Sequence, residues 1–230
     1  MKRSSLVYGL TKWLAGLVFS LFYKIEVRGN PGFFEEGPAI ILPKHQYWMD
    51  IPLVGLAFRH RLYYVAKKEL FRYPLIKHYI ALSGGIPIDR ERSIRTLESF
   101  KMLIGLIKVN EKIVIFPEGT YFRNIVGAGK NRLLRMILKF QEELKQKIPF
   151  IPVGIRYGER KGWRRSVEIC IGSPLFAEGE ADAVSLTDRV MEEISCLCRL
   201  PKQSSEFVCL PDRQGVQSSE NKNKVIRTPN

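Results

Sequence analysis

Residues 39–50, AIILPKHQYWMD, join a short apolar run to a histidine and an aspartate that are separated by four positions. The run predicts a buried strand, and Pro43 supports extended chain immediately before it, because the residue that precedes a proline disfavours the helical conformation. The apolar segment 51–58 then predicts a buried helix that begins near Trp48. His45 is therefore predicted to lie in the turn between a strand and a helix.

His45 and Asp50 have the chemistry of a general base and the acid that orients it. A neutral imidazole, with an ordinary pKa of about 6.5, accepts a proton from a hydroxyl at cellular pH, and a carboxylate on its other nitrogen fixes the tautomer. Residues five apart on a regular helix point about 140° away from each other, so the pair meets only if His45 precedes the helix and folds back. A second interpretation also fits the residues: an aspartate that caps the helix beside an incidental surface histidine.

Composition limits the classes of protein and of partner. The chain has 230 residues, of which 45% are apolar, and this suits one domain of ordinary size with attachments. Lys and Arg number 37 against 23 acids, and the net charge of +14 favours anionic partners such as phosphates, nucleic acid or anionic lipid surfaces. The four cysteines lack paired CxxC spacing and neighbouring histidines, so neither a metal site nor a disulfide framework is predicted.

Short apolar or alternating segments punctuated by Gly and Pro predict strands, and apolar residues at helical spacing predict helices between them. The strands are predicted at residues 23–27, 39–42, 62–66, 86–88, 112–116, 150–157 and 166–171, and further helices at 93–109, 131–145 and 185–199. Strands that alternate with helices predict an α/β fold with a largely parallel or mixed central sheet flanked by helices. We expect a membrane-anchor helix at 1–22, an α/β domain at 23–202 and a disordered polar tail at 203–230.

The amino-terminal segment 6–23 is apolar but is interrupted by Lys12, and its uninterrupted part is residues 13–23. A membrane span needs about 20 apolar residues, so the segment favours a shallow amphipathic anchor with basic residues at the headgroups. A signal peptide is an alternative, although no small-x-small cleavage site precedes Lys24. An ordinary buried helix of the domain is another.

Cations and turn residues follow three of the predicted strands. GGIPIDR, residues 84–90, places Arg90 after a short strand and just before a helix, where α/β sheets gather anions. FPEGT, residues 116–120, ends another strand and opens a long loop that contains Arg123 and Lys130. Its backbone N–H groups, hydroxyl and following cations suit a phosphate or an oxyanion. A solvated Arg90 beside Glu91 would explain the first segment equally well. Lys67 ends a third strand, where it could stabilise negative charge, although paired lysines are more often simply solvated.

Together, His45-x4-Asp50, residues 84–90, residues 116–120 and Ile151-Pro152 resemble the four motif blocks of the glycerolipid acyltransferase family. The resemblance covers roughly residues 25–175 and is strongest to bacterial 1-acyl-sn-glycerol-3-phosphate acyltransferases, membrane-bound enzymes that make phosphatidic acid. It implies an amino-terminal helical anchor followed by an α/β domain.

The resemblance also implies roles for individual residues. His45 is expected to deprotonate the acceptor hydroxyl, and Asp50 to orient His45. The acceptor phosphate is expected to be bound by Arg90, Glu118, Gly119 and Thr120. The oxyanion is expected to be stabilised by Lys67 and by the N–H of Gly119. The donor would be acyl-coenzyme A or acyl carrier protein, whose thiolate leaves readily, so neither a covalent acyl-enzyme nor a cofactor is expected.

Three residues depart from the common family pattern. Lys44 replaces the usual Asn before the histidine, Pro87 replaces the usual Phe before Ile-Asp-Arg, and Tyr121 replaces the usual Arg after Glu-Gly-Thr. The change at Tyr121 removes one expected phosphate ligand, which Arg123 would replace from two positions further on. Another acceptor, such as a lyso-ornithine lipid or a lysophospholipid, is therefore an alternative.

The resemblance predicts acyl transfer to 1-acyl-sn-glycerol-3-phosphate at the cytoplasmic face of the cell membrane, with membrane lipids, the lysolipid and the acyl carrier as partners. A non-catalytic basic membrane-surface protein on the same fold is the alternative from another class, and the intact His45 and Asp50 argue against it. No nucleic-acid partner is expected, because the sequence contains no recognition motif for one.

Overall fold

The computed structural model describes residues 5–29, 37–72, 84–88 and 94–203, and within these ranges seven strands form one sheet. The strands are β1 (Tyr23–Arg28), β2 (Ala39–Pro43), β3 (Leu62–Lys67), β4 (Gly85–Ile88), β5 (Lys112–Val114), β6 (Phe150–Lys161) and β7 (Arg164–Ile171). The helices are α1 (Ser5–Phe22), α2 (Asp50–Ala57), α3 (Ile94–Lys108), α4 (Arg132–Leu144) and α5 (Ala183–Cys198). Each predicted strand and helix has a counterpart, with ends that differ by a few residues.

The sheet is mixed, with strand order β1-β7-β6-β2-β5-β3-β4. Among the seven described strands, β6 and β7 pair antiparallel, and the other neighbours pair in parallel. β2 lies between β5 and β6, and all five of its residues are buried, which explains its uninterrupted apolar sequence. The predicted α/β fold with a largely parallel or mixed sheet is confirmed.

Helices cover both faces of the sheet. Successive residues of β2 point to opposite faces, so Ile40 and Leu42 pack in the core beneath α3, α4 and α5, whereas Ala39 and Ile41 pack beneath α1 and α2. The carboxyl ends of the central parallel strands β2, β3, β4 and β5 therefore meet at one edge, between two helical layers.

The hairpin of β6 and β7 extends further than the sequence indicates. The prediction ends the first strand at Tyr157, because the residues that follow are polar, yet β6 continues to Lys161 and β7 begins at Arg164. Both strands are exposed at these ends, so their side chains show no apolar alternation, and the antiparallel pairing of the two strands continues regardless.

Helix α1 packs on the domain with one side and presents apolar side chains on the other. Phe19 is buried against the core under α2, and the Lys12 Nζ donates a hydrogen bond to the Phe58 carbonyl, 2.5 Å away. Burial lowers the pKa of Lys12. Leu14 and Leu17 are among the exposed apolar residues of the outer side. None of the helices in the described ranges combines the length and apolarity that crossing a bilayer requires. The predicted amino-terminal helix is thus present, and its role as a membrane anchor stays a prediction. The predicted disordered tail lies outside the described residues after Gln203 and also stays a prediction.

Candidate active site

The turn between β2 and α2 brings His45 and Asp50 together. Asp50 is the first residue of α2, and its carboxylate accepts hydrogen bonds from the backbone N–H groups of Gln46 and Tyr47, at 2.5 and 2.7 Å. These bonds fold the turn back over the helix start, where a negative charge is also favoured by the helix dipole. The Nδ1 of His45 lies 3.1 Å from the Oδ2 of Asp50, so the predicted pairing is present in the structure.

The Asp50 carboxylate is fully buried, and a fourth donor completes its hydrogen bonds. The Tyr157 hydroxyl donates to Oδ1 over 2.6 Å. Burial and the Asp50 charge raise the pKa of Tyr157 far above its ordinary value, so the hydroxyl stays protonated and donates. Tyr157 lies on β6, next to β2, but 107 positions from Asp50 in the chain, and no sequence pattern indicated it.

His45 lies between two aromatic rings at the wall of a cavity. Its ring stacks on Phe116, with centroids 3.9 Å apart, and meets Tyr121 at 4.3 Å. Burial raises the pKa of Tyr121, and the Asp50 charge adds to the shift. Since Nδ1 is engaged by Asp50, Nε2 is the ring nitrogen left to take a proton from a ligand in the cavity.

The cavity, of about 590 Å3, has mostly apolar walls, and the described residues that line it include three cationic side chains. The cations are Lys67, predicted from its position at a strand end; Lys130 of the long loop; and Arg132, which the sequence did not indicate. Gly119 and Thr120 also line it. Apolar walls with a few charged groups suit a ligand that has a long hydrocarbon part and an anionic group.

Glu118 is absent from the described residues that line the cavity, and its expected contact with the phosphate stays a prediction. Its side chain is fully buried and accepts hydrogen bonds from the Lys44 Nζ at 2.8 and 3.0 Å, and from the N–H groups of His45 and Gly127 at 2.8 and 2.7 Å. A carboxylate with this set of donors is satisfied, and its charge would repel a phosphate. Its role is to join two loops.

The N–H of Gly119 is engaged within its own turn, and its expected contact with the oxyanion stays a prediction. It donates to the carbonyl of Phe116 over 3.0 Å and closes the turn. The φ of Gly119 is +69°, in the left-handed region that favours glycine. Glycine is needed here for the shape of the turn.

Arg123 and Arg90 are the two arginines that were predicted to bind the phosphate. The guanidinium of Arg123 lies 5.0 Å from the ring centroid of Tyr47, and Arg123 is absent from the described residues that line the cavity. Its expected replacement of the missing arginine stays a prediction. Arg90 lies outside the described residues. Ile88, the last residue of β4, lines the cavity two positions before it.

Lys44, in the position of the usual asparagine, forms a buried ion pair that joins the long loop to the turn between β2 and α2. Besides Glu118, its Nζ donates to the carbonyls of His45 and Phe122, at 3.1 and 2.7 Å. Burial lowers the pKa of Lys44, and the Glu118 charge opposes that shift. In addition, the Phe122 N–H donates to the His45 carbonyl over 3.0 Å. Lys44, which replaces the usual asparagine, thus bonds to Glu118 and Phe122, which lie 74 and 78 positions away in the chain.

No group of three His, Cys, Asp or Glu side chains in the described ranges is placed to hold a metal ion.

Comparison with known proteins identifies the family. The model of the Acyltransferase family matches residues 24–156. The chain is 29% identical over 162 residues to the 1-acyl-sn-glycerol-3-phosphate acyltransferase of Limnanthes alba, covering 70% of this chain and 52% of that protein. It is 30% identical over 105 residues to the protein of the same name from Bacillus subtilis, covering 45% and 52%. It therefore spans about half the length of the curated relatives it matches.

A solved structure has the same fold. The crystal structure of the 1-acyl-sn-glycerophosphate (LPA) acyltransferase, PlsC, from Thermotoga maritima superimposes with a TM-score of 0.59 at 23% identity, covering 82% of this chain and 79% of that chain. The family match includes the His45–Asp50 turn and the strands that surround it. The chain belongs to the Acyltransferase family.

Proposed function

We propose that this protein transfers an acyl chain from acyl-coenzyme A or acyl carrier protein to the free hydroxyl of 1-acyl-sn-glycerol-3-phosphate, which yields phosphatidic acid. The observation that carries the proposal is the His45–Asp50 pair, with Nδ1 and Oδ2 3.1 Å apart, at the wall of a cavity with apolar sides and three cations. The names of the relatives add support, and the segment that matches the family model contains this pair.

In the proposed mechanism, His45 acts as a general base. Its Nε2 takes the proton of the acceptor hydroxyl while the hydroxyl oxygen forms a bond to the thioester carbonyl carbon. The negative charge of the resulting tetrahedral intermediate is stabilised by the ammonium group of Lys67. The carbon–sulfur bond then breaks, and the thiolate takes the proton from His45. Asp50 holds the imidazole in the tautomer that leaves Nε2 free to accept.

Lys130 and Arg132 are proposed to bind the acceptor phosphate, together with Arg90 and the hydroxyl of Thr120. An arginine binds phosphate through two hydrogen bonds and a lysine as a point charge. This assignment moves the phosphate contact from Glu118 and Arg123 to side chains that line the cavity. The apolar walls would hold hydrocarbon.

We also propose that the protein works at the cytoplasmic face of the membrane, attached through α1. Leu10, Trp13, Leu14, Leu17 and Leu21 of this helix are exposed, and such a row of apolar side chains suits the boundary between headgroups and acyl chains. Membrane lipids would then be partners, and the lysolipid would reach the cavity from the bilayer.

One observation favours a second acceptor. Tyr121 is half exposed, lines the cavity and stands where the family commonly has an arginine. A lyso-ornithine lipid or a lysophospholipid would need fewer cations than a phosphate monoester does.

A panel of acceptors tests the proposal. The purified chain is supplied with acyl-coenzyme A or acyl carrier protein and with 1-acyl-sn-glycerol-3-phosphate, lyso-ornithine lipid or lysophosphatidylethanolamine, and kcat/KM is measured for each pair. We expect the phosphate monoester to be preferred by about tenfold or more, since one additional charge-assisted contact contributes about 1.5 kcal/mol. Equal or faster transfer to lyso-ornithine lipid would establish the second acceptor, and no transfer to any acceptor would favour the non-catalytic alternative.

Tyr157 is proposed as a positioning residue, and Tyr157→Phe tests it. The variant removes the hydroxyl that donates to Asp50 and leaves the ring, so we expect kcat to fall about tenfold with little change in KM, because a hydrogen bond to a charged group contributes about 1.5–3 kcal/mol. Tyr47→Phe is the matched control, since Tyr47 packs edge-on against Tyr157, with centroids 4.9 Å apart. Equal effects of the two changes on kcat, or a rise in KM alone, would contradict the assignment.

A further inference from the structure

The tip of the β6–β7 hairpin, residues 158–165, combines four cations with an exposed tryptophan. Its sequence, GERKGWRR, contains Arg160, Lys161, Arg164 and Arg165 against the single acid Glu159. Trp163 is 62% exposed, although tryptophan is usually highly buried. The proposed acyl transfer uses none of these side chains.

The hairpin tip is held against the end of α1. The Arg164 Nη2 donates to the carbonyls of Ser20 and Tyr23, at 2.6 and 3.2 Å. The last carbonyls of a helix lack partners within the helix, and a guanidinium is well suited to satisfy them. The contact therefore places the tip beside the carboxyl end of the helix.

Exposed aromatic side chains from three separate parts of the chain meet at this place. Trp163 of the tip, Phe22 of α1 and Trp48 of the turn between β2 and α2 line one open cleft of about 950 Å3, together with Arg160 and Arg165. Trp48 is 62% and Phe22 51% exposed. Soluble proteins rarely expose apolar groups in one continuous patch unless the patch binds something.

We infer that the hairpin tip is a second membrane contact, beside α1, and that it binds the surface of a bilayer that contains anionic phospholipid. Tryptophan is enriched at the boundary between lipid headgroups and acyl chains, where its ring is apolar and its N–H is hydrated. Arginine and lysine beside it complement negative headgroups. Two separate contacts would fix the orientation of the domain on the membrane.

The cleft reaches the turn between β2 and α2. Tyr157 lines it, and the hydroxyl of this residue donates to Asp50. A bilayer surface seated on the tip and on α1 would thus lie next to the residues that position His45.

Fluorescence of Trp163 in the full chain tests the inference without any substrate. The chain has three tryptophans, and Trp13→Phe/Trp48→Phe leaves Trp163 as the only one. On vesicles of phosphatidylcholine with phosphatidylglycerol, we expect its emission to shift to the blue and to be quenched by brominated acyl chains. Unchanged emission while the protein cosediments with the vesicles would overturn the inference and leave attachment through α1 intact.

Charge reversal at the tip supplies a second test. Arg160→Glu/Lys161→Glu is expected to weaken binding to anionic vesicles at least about tenfold, since each cation near such a surface contributes a factor of about five. Arg135→Glu/Lys139→Glu is the matched control, because both residues are exposed on α4, which lies on the opposite face of the sheet from α1. Equal losses in the two variants would contradict a specific contact at the tip. Tight, salt-sensitive binding to RNA without vesicle binding would replace the bilayer by a nucleic acid as the partner.

Discussion

His45→Ala is expected to lower kcat for acyl transfer by about 10²–10⁴-fold, which is the usual contribution of a general base. Without the imidazole, the acceptor hydroxyl has no group to take its proton as it attacks the thioester. We expect KM to change little, because the cavity cations and apolar walls that hold the substrates are unaltered. Initial rates with 1-acyl-sn-glycerol-3-phosphate and acyl-coenzyme A, over a range of both substrates, give the two parameters separately.

Two further variants make this result specific. His60→Ala removes a histidine that lies outside the cavity lining and should retain near-normal turnover. His45→Gln fills more of the space between the rings of Phe116 and Tyr121 than alanine does, so it separates loss of the base from loss of packing. The general-base assignment is untenable if His45→Ala keeps more than about a tenth of the wild-type kcat with an intact fold.

Lys44→Met is expected to lower the free energy of unfolding by about 3–5 kcal/mol, because it leaves the Glu118 carboxylate buried without its cation. Both side chains of the pair are fully buried, at 0% exposure. Methionine resembles the aliphatic stem of lysine in length, so the packing of the stem is largely kept and the charge is the main change. Denaturation by urea, followed by circular dichroism, measures the effect.

The double variant Lys44→Met/Glu118→Gln tests whether the loss comes from the unpaired charge. Burial lowers the pKa of Lys44 even with Glu118 beside it, so the ion pair does not fully offset the cost of removing the ammonium from water. The N–H groups of His45 and Gly127 donate to different oxygens of Glu118, so glutamine keeps one of these two hydrogen bonds and removes the buried negative charge. We therefore expect the double variant to be more stable than Lys44→Met alone.

The exposed residue Lys139 provides the control, and Lys139→Met is expected to change stability by no more than about 0.5 kcal/mol. A similarly small decrease in the free energy of unfolding of Lys44→Met would mean that the Lys44–Glu118 pair does not hold the long loop in place. A double variant no more stable than Lys44→Met would mean that the loss does not come from the Glu118 charge.

Patterns within short stretches of sequence were sufficient to predict the fold and the turn that brings His45 and Asp50 together. Seven strands and the helices between them follow from apolar runs and helical spacing, which reflect local backbone geometry and burial. The spacing of His45 and Asp50 is incompatible with one regular helix, so it required a turn before α2, and the structure contains that turn. The exposed end of the β6–β7 hairpin was missed, because strands with no buried face leave no apolar alternation.

Tertiary structure alone decided which side chains face the cavity. Glu118 lies in the expected motif but points inward to Lys44, 74 positions away, and Tyr157 reaches Asp50 across 107 positions because β6 is the neighbour of β2 in the sheet. The direction of a side chain in a loop depends on the buried partners that meet it there. Those partners are set by strand order, which local spacing does not encode. The sequence thus determined the fold and the His45–Asp50 pair, whereas packing determined which groups surround that pair.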